Sequence, residues 1–220
     1  MDQQPGPGQI RNSNESMLTA QIRACGAVPV PLGVARDHRE ELAAKIAAGL
    51  TNDLLVLSGG VSAGTLDLVP SELAAAGVRQ VFHQIEMKPG KPLWFGQFHD
   101  AFGRGCYVFG LPGNPVSSLT CFEVFVRTAI RQMMGEKPAV VPAVSARLQH
   151  DHRQRRDRPT YHPAQLSWTV TGPEVSLVPW HGSSDIASTI TANAMAYLPG
   201  DEQHYSAGET LQTTLWAGGE

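Results

Sequence analysis

The 220-residue sequence predicts an α/β domain on a doubly wound, mostly parallel sheet, followed by a small all-β domain. Three observations predict it. Helix and strand patterns alternate from residue 12 to about 135, as a sheet with right-handed crossovers requires. The run DLLVLSGG at 53–60 is continuously apolar and ends in two glycines, the pattern of a buried parallel strand meeting a loop. From Val140 onward no helical period survives; alternating segments such as AVSARLQH, AQLSWTV, VSLVPW and ETLQTTLW are separated by Pro, Gly and Asp turns. The composition changes at GEKPAVVP, which divides the chain into a linker at 1–11, an α/β domain at 12–138 and a β domain at 139–220.

Each element has a local reason. Met17, Leu18, Gln21, Ile22 and Cys25 repeat at near-helical spacing, with Ser13 or Asn14 as cap and Gly26 as stop. AVPVPLG at 27–33 reads as a short strand whose prolines suit only an edge or a strand end. Asp37 and Glu40 form a capping box, and Leu42, Ile46 and Leu50 continue one apolar face. A helix from Asp67 to Ala76 precedes the strand VRQVFHQIEM, and CYVFGLPG is a further buried strand. Pro115 suits the first turn of a long helix that runs to Gly135.

Bulk composition narrows the function. Lys and Arg number 17 against 20 Asp and Glu, a net charge of −3, so no overall field attracts nucleic acid or an anionic membrane. Cys25, Cys106 and Cys121 are odd in number and form no CxxC pair, which argues against a disulfide framework or zinc site and points to a cytoplasmic location. No apolar run reaches the roughly 18 residues of a membrane helix.

Ligands of α/β sheets bind beyond the carboxyl ends of the strands. Three glycine-rich loops fall there: SGGVSAGTLD, MKPGKP and LPGNPVS. The first offers Ser58, Gly59, Gly60, Ser62 and Gly64, hydroxyls and backbone N–H groups open to a phosphate, without a P-loop or dinucleotide fingerprint. Asp67 at its end, like Asp37, reads either as a helix cap or as a carboxylate that could hold Mg²⁺. MKPGKP sets Lys88 and Lys91 across a Pro-Gly turn, where two ammonium groups repel unless an anion lies between them. In LPGNPVS, Asn114 could cap a helix whose first turn adds the Ser117 hydroxyl. Arg158 stands out from the basic run HDHRQRRDRPTYH, Ser183 from WHGSSDI, and the His150–His152 pair lacks a third metal ligand.

In this order and spacing, SGGVSAGTLD, MKPGKP, LPGNPVS and the later GSSDI resemble the MoeA/gephyrin family, the molybdopterin molybdenumtransferases of molybdenum-cofactor biosynthesis. The resemblance runs from Gly8 to Thr214 and implies a MogA-like molybdopterin-binding domain followed by a C-terminal β-barrel. It implies insertion of molybdate into adenylylated molybdopterin, with a divalent metal (Mg²⁺) and release of AMP. Lys88, Lys91 and Pro92, with Ser117, would line the molybdate pocket, Arg158 and Ser183 would reach it from the β domain, and Pro112, Gly113 and Asn114 would bind substrate. Asp67 and Asp37 would face the metal, and the SGG loop the pterin or its phosphate. Family members are about twice this length, with N-terminal domains that complete the site across a dimer. The implied partners are therefore a second copy or a separately encoded N-terminal half. Gln84 departs from the basic residue that many members carry four positions before the first lysine. A non-catalytic molybdopterin-binding scaffold and a molybdopterin adenylyltransferase are the alternatives; MKPGKP and the appended β domain speak against the second.

Overall fold

The computed structural model describes residue 6 and residues 11–35, 38–61, 68–154, 158–201 and 204–218. Of the expected site residues, Asp37, Ser62, Gly64 and Asp67 lie outside them. Among the described residues no helix is long and apolar enough to cross a membrane.

Helices α1 (Ser13–Ala24), α2 (Arg39–Gly49) and α3 (Leu68–Ala75) accompany the strands β1 (Leu54–Ser58), β2 (Arg79–His83), β3 (Trp94–His99) and β4 (Gly105–Leu111). The strands form one sheet in the order β1-β4-β3-β2. Strand alternation sends neighbouring residues to opposite faces. Leu55, Val108 and Trp94 therefore pack with Leu42 and Ile46 of α2 and Leu73 of α3. Leu54, Val56, Phe95 and Phe109 turn the other way, against Leu18 of α1 and Phe122, Val126 and Ile130 of the later helix. Helices thus cover both faces, as a doubly wound fold requires, and each fully buried large side chain contributes roughly 1.5–3 kcal/mol.

Within this sheet only the β1–β4 pairing is parallel; β3 runs antiparallel to both β4 and β2. The sheet is mixed where a mostly parallel one was expected, because β3 is an extra strand that the sequence pattern hides. Gly96 interrupts the alternation of WFGQFH, and a Cβ there would lie 2.4 Å from the Trp94 ring. Residues 27–33 form no strand. Pro29 and Pro31 remove two successive donors on one side of that segment, so a ladder there would lack half its bonds.

Caps also differ from expectation. Asn12, not Ser13 or Asn14, caps α1, accepting from the Glu15 N–H at 3.2 Å. The helix after LPGN runs as α4 (Pro115–Cys121), a π-helical turn (Phe122–Val126) and α5 (Arg127–Met133). Its N-cap Asn114 makes no side-chain capping bond.

Strands β5 (Val144–Leu148), β7 (Thr160–Thr169), β8 (Gly172–Leu177), β9 (Ala194–Leu198) and β11 (Thr210–Leu215) close into a barrel in the order β11-β5-β8-β7-β9. A separate short pair joins β6 (His152–Arg153) to β10 (His204–Tyr205). Five strands enclose little space, and Ala146, Ala164, Ala194 and Ala196 are fully buried inside, with Leu148, Leu166, Val175 and Leu211 around them. Small side chains at these inward positions let the strands close.

Candidate functional site

The lysine loop is a buried backbone carrying two exposed cations. Gln84 takes a left-handed φ of 70°, which turns the chain out of β2. The loop then folds back on itself: the Gln84 N–H donates to Leu93 O at 2.8 Å, the Ile85 N–H to Lys91 O at 3.0 Å and the Leu93 N–H to Gly90 O at 3.1 Å. Met87, Pro89 and Gly90 are buried, whereas Lys88 and Lys91 are exposed and Pro92 is half-buried. Neither lysine makes an ion pair among the described residues.

The barrel holds this loop by backbone contacts. The Lys88 N–H donates to Pro159 O at 2.9 Å and the Tyr161 N–H to Lys88 O at 2.8 Å, so Lys88 pairs with the start of β7. Nη1 of Arg158 donates to Met87 O at 3.3 Å, which sets a guanidinium beside the loop. Two residues along β7 from Thr160, His162 is buried, and burial chiefly pushes its pKa down to about 4, with His152 and the Lys88 charge acting the same way. Its Nδ1 lies 2.8 Å from the carbonyl of Pro163. A neutral imidazole next to Lys88 adds no competing charge at neutral pH. His152 packs edge-on against His162 at 5.2 Å, an aromatic contact and not a metal pair.

A second rim comes from β1, β4 and α4. The Gly59 N–H donates to Leu111 O at 2.9 Å, and a Cβ on Gly113 would stand 3.6 Å from the Gly59 Cα, so the SGG and LPGN loops lie against each other. Gly60, exposed, takes a φ of 68°, and a Cβ there would meet Val69 at 2.7 Å. Ser58 shares a 3.1 Å hydrogen bond with Ser118, whose hydroxyl donates to Pro112 O at 2.5 Å. Ser117 is buried on the first turn of α4. The barrel reaches this rim too. Asn114 Nδ2 donates to Ser183 Oγ at 2.8 Å, and the Val116 N–H to Ser183 O at 3.0 Å. A carbonyl of the C-terminal domain thus occupies one of the N–H groups at this helix start. Cys121 Sγ lies 3.6 Å from Gly90 O, which ties α4 to the lysine loop.

The structure therefore brings Lys88 and Arg158 together at one seam and Asn114 and Ser183 at another, with α4 spanning between. It also joins Ser58, Gly59, Pro112 and Gly113 in the second rim. Sequence reasoning missed Asn14, Ser118 and His162. Only the position of His162 two residues after Thr160 on an alternating strand could have pointed to it. Among the described residues, no group of three or more His, Cys, Asp or Glu could hold a metal ion.

The turn that presents Ser183 is organised by Asp185. Its carboxylate accepts from the backbone of His181 at 3.2 Å and of Ser188 at 3.3 Å, and the His181 bond chiefly holds its pKa below the ordinary 3.8. A depressed folded pKa gives stability that is present above 3.8 and lost as pH falls through the lower folded value. Exchange of the His181 amide, followed by NMR, is expected to accelerate in that window while barrel amides stay protected; Asp185→Asn is expected to abolish the pH dependence.

Residues 3–132 match the family described as "Probable molybdopterin binding domain", and residues 145–216 match "MoeA C-terminal region (domain IV)". The chain is 30% identical over 210 residues to the molybdopterin molybdenumtransferase of Staphylococcus epidermidis, covering 95% of this chain and 49% of the relative. The Staphylococcus aureus protein of that name is 29% identical over 212 residues, with 94% and 49% covered. A molybdopterin biosynthesis MoeA protein from Pyrococcus horikoshii superposes with a TM-score of 0.79 at 29% identity, covering 98% of this chain and 50% of that one. The chain thus spans about half the length of the curated relatives that it matches. It belongs to the MoeA family, as a molybdopterin-binding domain followed by the MoeA C-terminal region.

Proposed function

We propose that this chain acts in molybdenum-cofactor biosynthesis by inserting molybdate into adenylylated molybdopterin with release of AMP. The observation that carries the reading is the pair of lysines, Lys88 and Lys91, without an ion-pair partner among the described residues, on a buried turn whose backbone is fixed to the barrel beside Arg158. Cations held in place before an anion arrives need little reorganisation, and charge-assisted bonds from them are stronger than neutral ones. Molybdate, a tetrahedral dianion, is the substrate that such a set accommodates, with Pro92 stiffening the turn and the Ser117 and Ser183 hydroxyls as further donors. Ser58, Gly59, Gly60, Pro112, Gly113 and Asn114 would take the pterin side. Residues 12–138 and 139–220 serve as the two domains whose seam forms the pocket. Mg²⁺ on Asp67 and Asp37 would neutralise phosphate charge; both residues lie outside the described residues. Completion of the site by a second copy or a partner polypeptide belongs to the same proposal.

The test measures AMP release and active cofactor from adenylylated molybdopterin, molybdate and Mg²⁺, comparing the chain with its Lys88→Ala/Lys91→Ala variant. A loss of at least about 100-fold is expected, the usual effect of removing preorganised electrostatic groups. Equal rates in both proteins would sink the assignment of the lysines. Tight binding of the adenylylated pterin without turnover, even after a partner half is added, would favour the scaffold reading.

A further inference from the structure

We infer that Asn14 is a positioning residue that locks the SGG and LPGN loops into one rim, and so governs affinity for the pterin-bearing substrate; this rests on the reading above. Asn12 already caps α1, which leaves the Asn14 side chain free for another role. Its Nδ2 lies 2.7 Å from Ser58 Oγ and 2.9 Å from Gly113 O. A carbonyl oxygen only accepts, so the amide nitrogen must face Gly113, which fixes the orientation of the side chain. Ser118 gives its hydroxyl proton to Pro112 O. It therefore cannot also donate to Ser58, and the 3.1 Å bond between the two serines runs from Ser58 to Ser118. Ser58 Oγ also lies 3.4 Å from Pro112 O, so its one proton serves Ser118 first and that carbonyl at longer range. Asn14 donates to Ser58 and to Gly113 O, Ser58 to Ser118, and Ser118 to Pro112 O.

The consequence is directional. Both carbonyls of the Pro112–Gly113 turn are held inward by one helix residue and one serine. In trans peptides the N–H lies opposite its carbonyl, so the amide of Asn114 faces away from Asn14 and that of Gly113 away from Ser118. Ser58, at the head of the SGG loop, is tied to the same clasp. Asn14 Oδ1 is buried and has no hydrogen-bond partner among the described residues. Without a second bond to satisfy, the amide is held by its two donor bonds alone. Removing those donors frees both loops at once, although Asn14 touches neither lysine loop nor barrel in any hydrogen bond described.

Asn14→Asp keeps the size of the side chain, removes both donors and sets a carboxylate against Gly113 O. The full chain and this variant would be compared in two ways. The first is exchange at the amides of Gly59 and Ser118, bonded to Leu111 O and Asn114 O respectively, with barrel amides as reference. The second is the KM for adenylylated molybdopterin and the kcat at saturating molybdate. The expected result is faster exchange at both loop amides together, with barrel amides unchanged, and a KM raised roughly tenfold with kcat retained, the worth of about one hydrogen bond. Unchanged loop exchange, loosening of one loop only, or equal loosening throughout the barrel would overturn the inference. So would a fall in kcat at unchanged KM. If the wild-type chain shows no turnover at all, the functional reading is what fails, and the paired exchange at Gly59 and Ser118 still decides the role of Asn14. Asn14→Ser, which retains a single donor, is expected to fall between the two.

Discussion

Replacing Arg127 by alanine is expected to lower the unfolding free energy by about 3–5 kcal/mol, the usual effect of leaving a buried charge without its partner. Arg127 and Glu123 are 5% and 2% exposed and lie 3.1 Å apart on the helix that enters its π turn. Arg127 also donates to Leu215 O at 2.7 Å, while Glu123 accepts from Gln21 at 2.7 Å and from the Ala217 N–H at 3.0 Å. The pair therefore fastens α1, the long helix and the last barrel strand. Burial raises the Glu123 pKa above the ordinary 4.5 even with Arg127 present, and Arg127 opposes that rise. Removing the arginine pushes it higher still. A carboxyl with a raised folded pKa contributes stability below its unfolded value and loses it as pH climbs through the folded one. The penalty in Arg127→Ala is thus expected to be smallest near pH 4 and to grow toward neutrality. Urea unfolding across that range checks it; a penalty independent of pH would show that Glu123 is not the group left stranded.

Gly90→Ala is expected to cost about 2–4 kcal/mol and to remove anion binding with it. Gly90 has a φ of 122°, which a side chain rarely adopts, and a Cβ there would lie 2.6 Å from Cys121 Sγ and 3.3 Å from Met87 Cε. Cys121 is fully buried in α4, so it has nowhere to move. The clash and the strained dihedral are separable. Cys121→Ala in the same chain removes the sulfur, and the double variant is expected to recover part of the loss, a coupling that neighbouring residues commonly show. Calorimetric unfolding of the four proteins of the cycle measures it. Strict additivity would mean that the backbone dihedral alone carries the cost.

Much of this was legible in the sequence, for reasons that differ between elements. DLLVLSGG announces a buried strand because continuous apolar character followed by two glycines leaves few other structures. The family, carried by MKPGKP followed by LPGNPVS, is borne out by the matched regions. The clustering of Lys88 with Arg158, and of Asn114 with Ser183, was implied by that resemblance alone, since no local pattern reports a contact 70 residues away. What stayed hidden is physical too. Strand β3 was masked by Gly96, chosen for the Trp94 ring beside it and not for strand propensity. The edge strand expected at 27–33 failed because Pro29 and Pro31 supply no donors. Asn14 looked like a cap because a helix start is where an asparagine is most often needed, and only the fold shows that its amide faces another loop.

The two backbone hydrogen bonds at Lys88 carry one more consequence. The lysine's main chain is a rung of a barrel strand, so its position is a readout of barrel integrity and not only of its own loop. Thermodynamic linkage then runs both ways: an anion that fastens Lys88 fastens the barrel, and at 100 times its Kd would add about 2.7 kcal/mol to the stability of the folded chain. A change deep in the barrel, far from any ligand, would be felt first as weaker anion affinity and only later as unfolding.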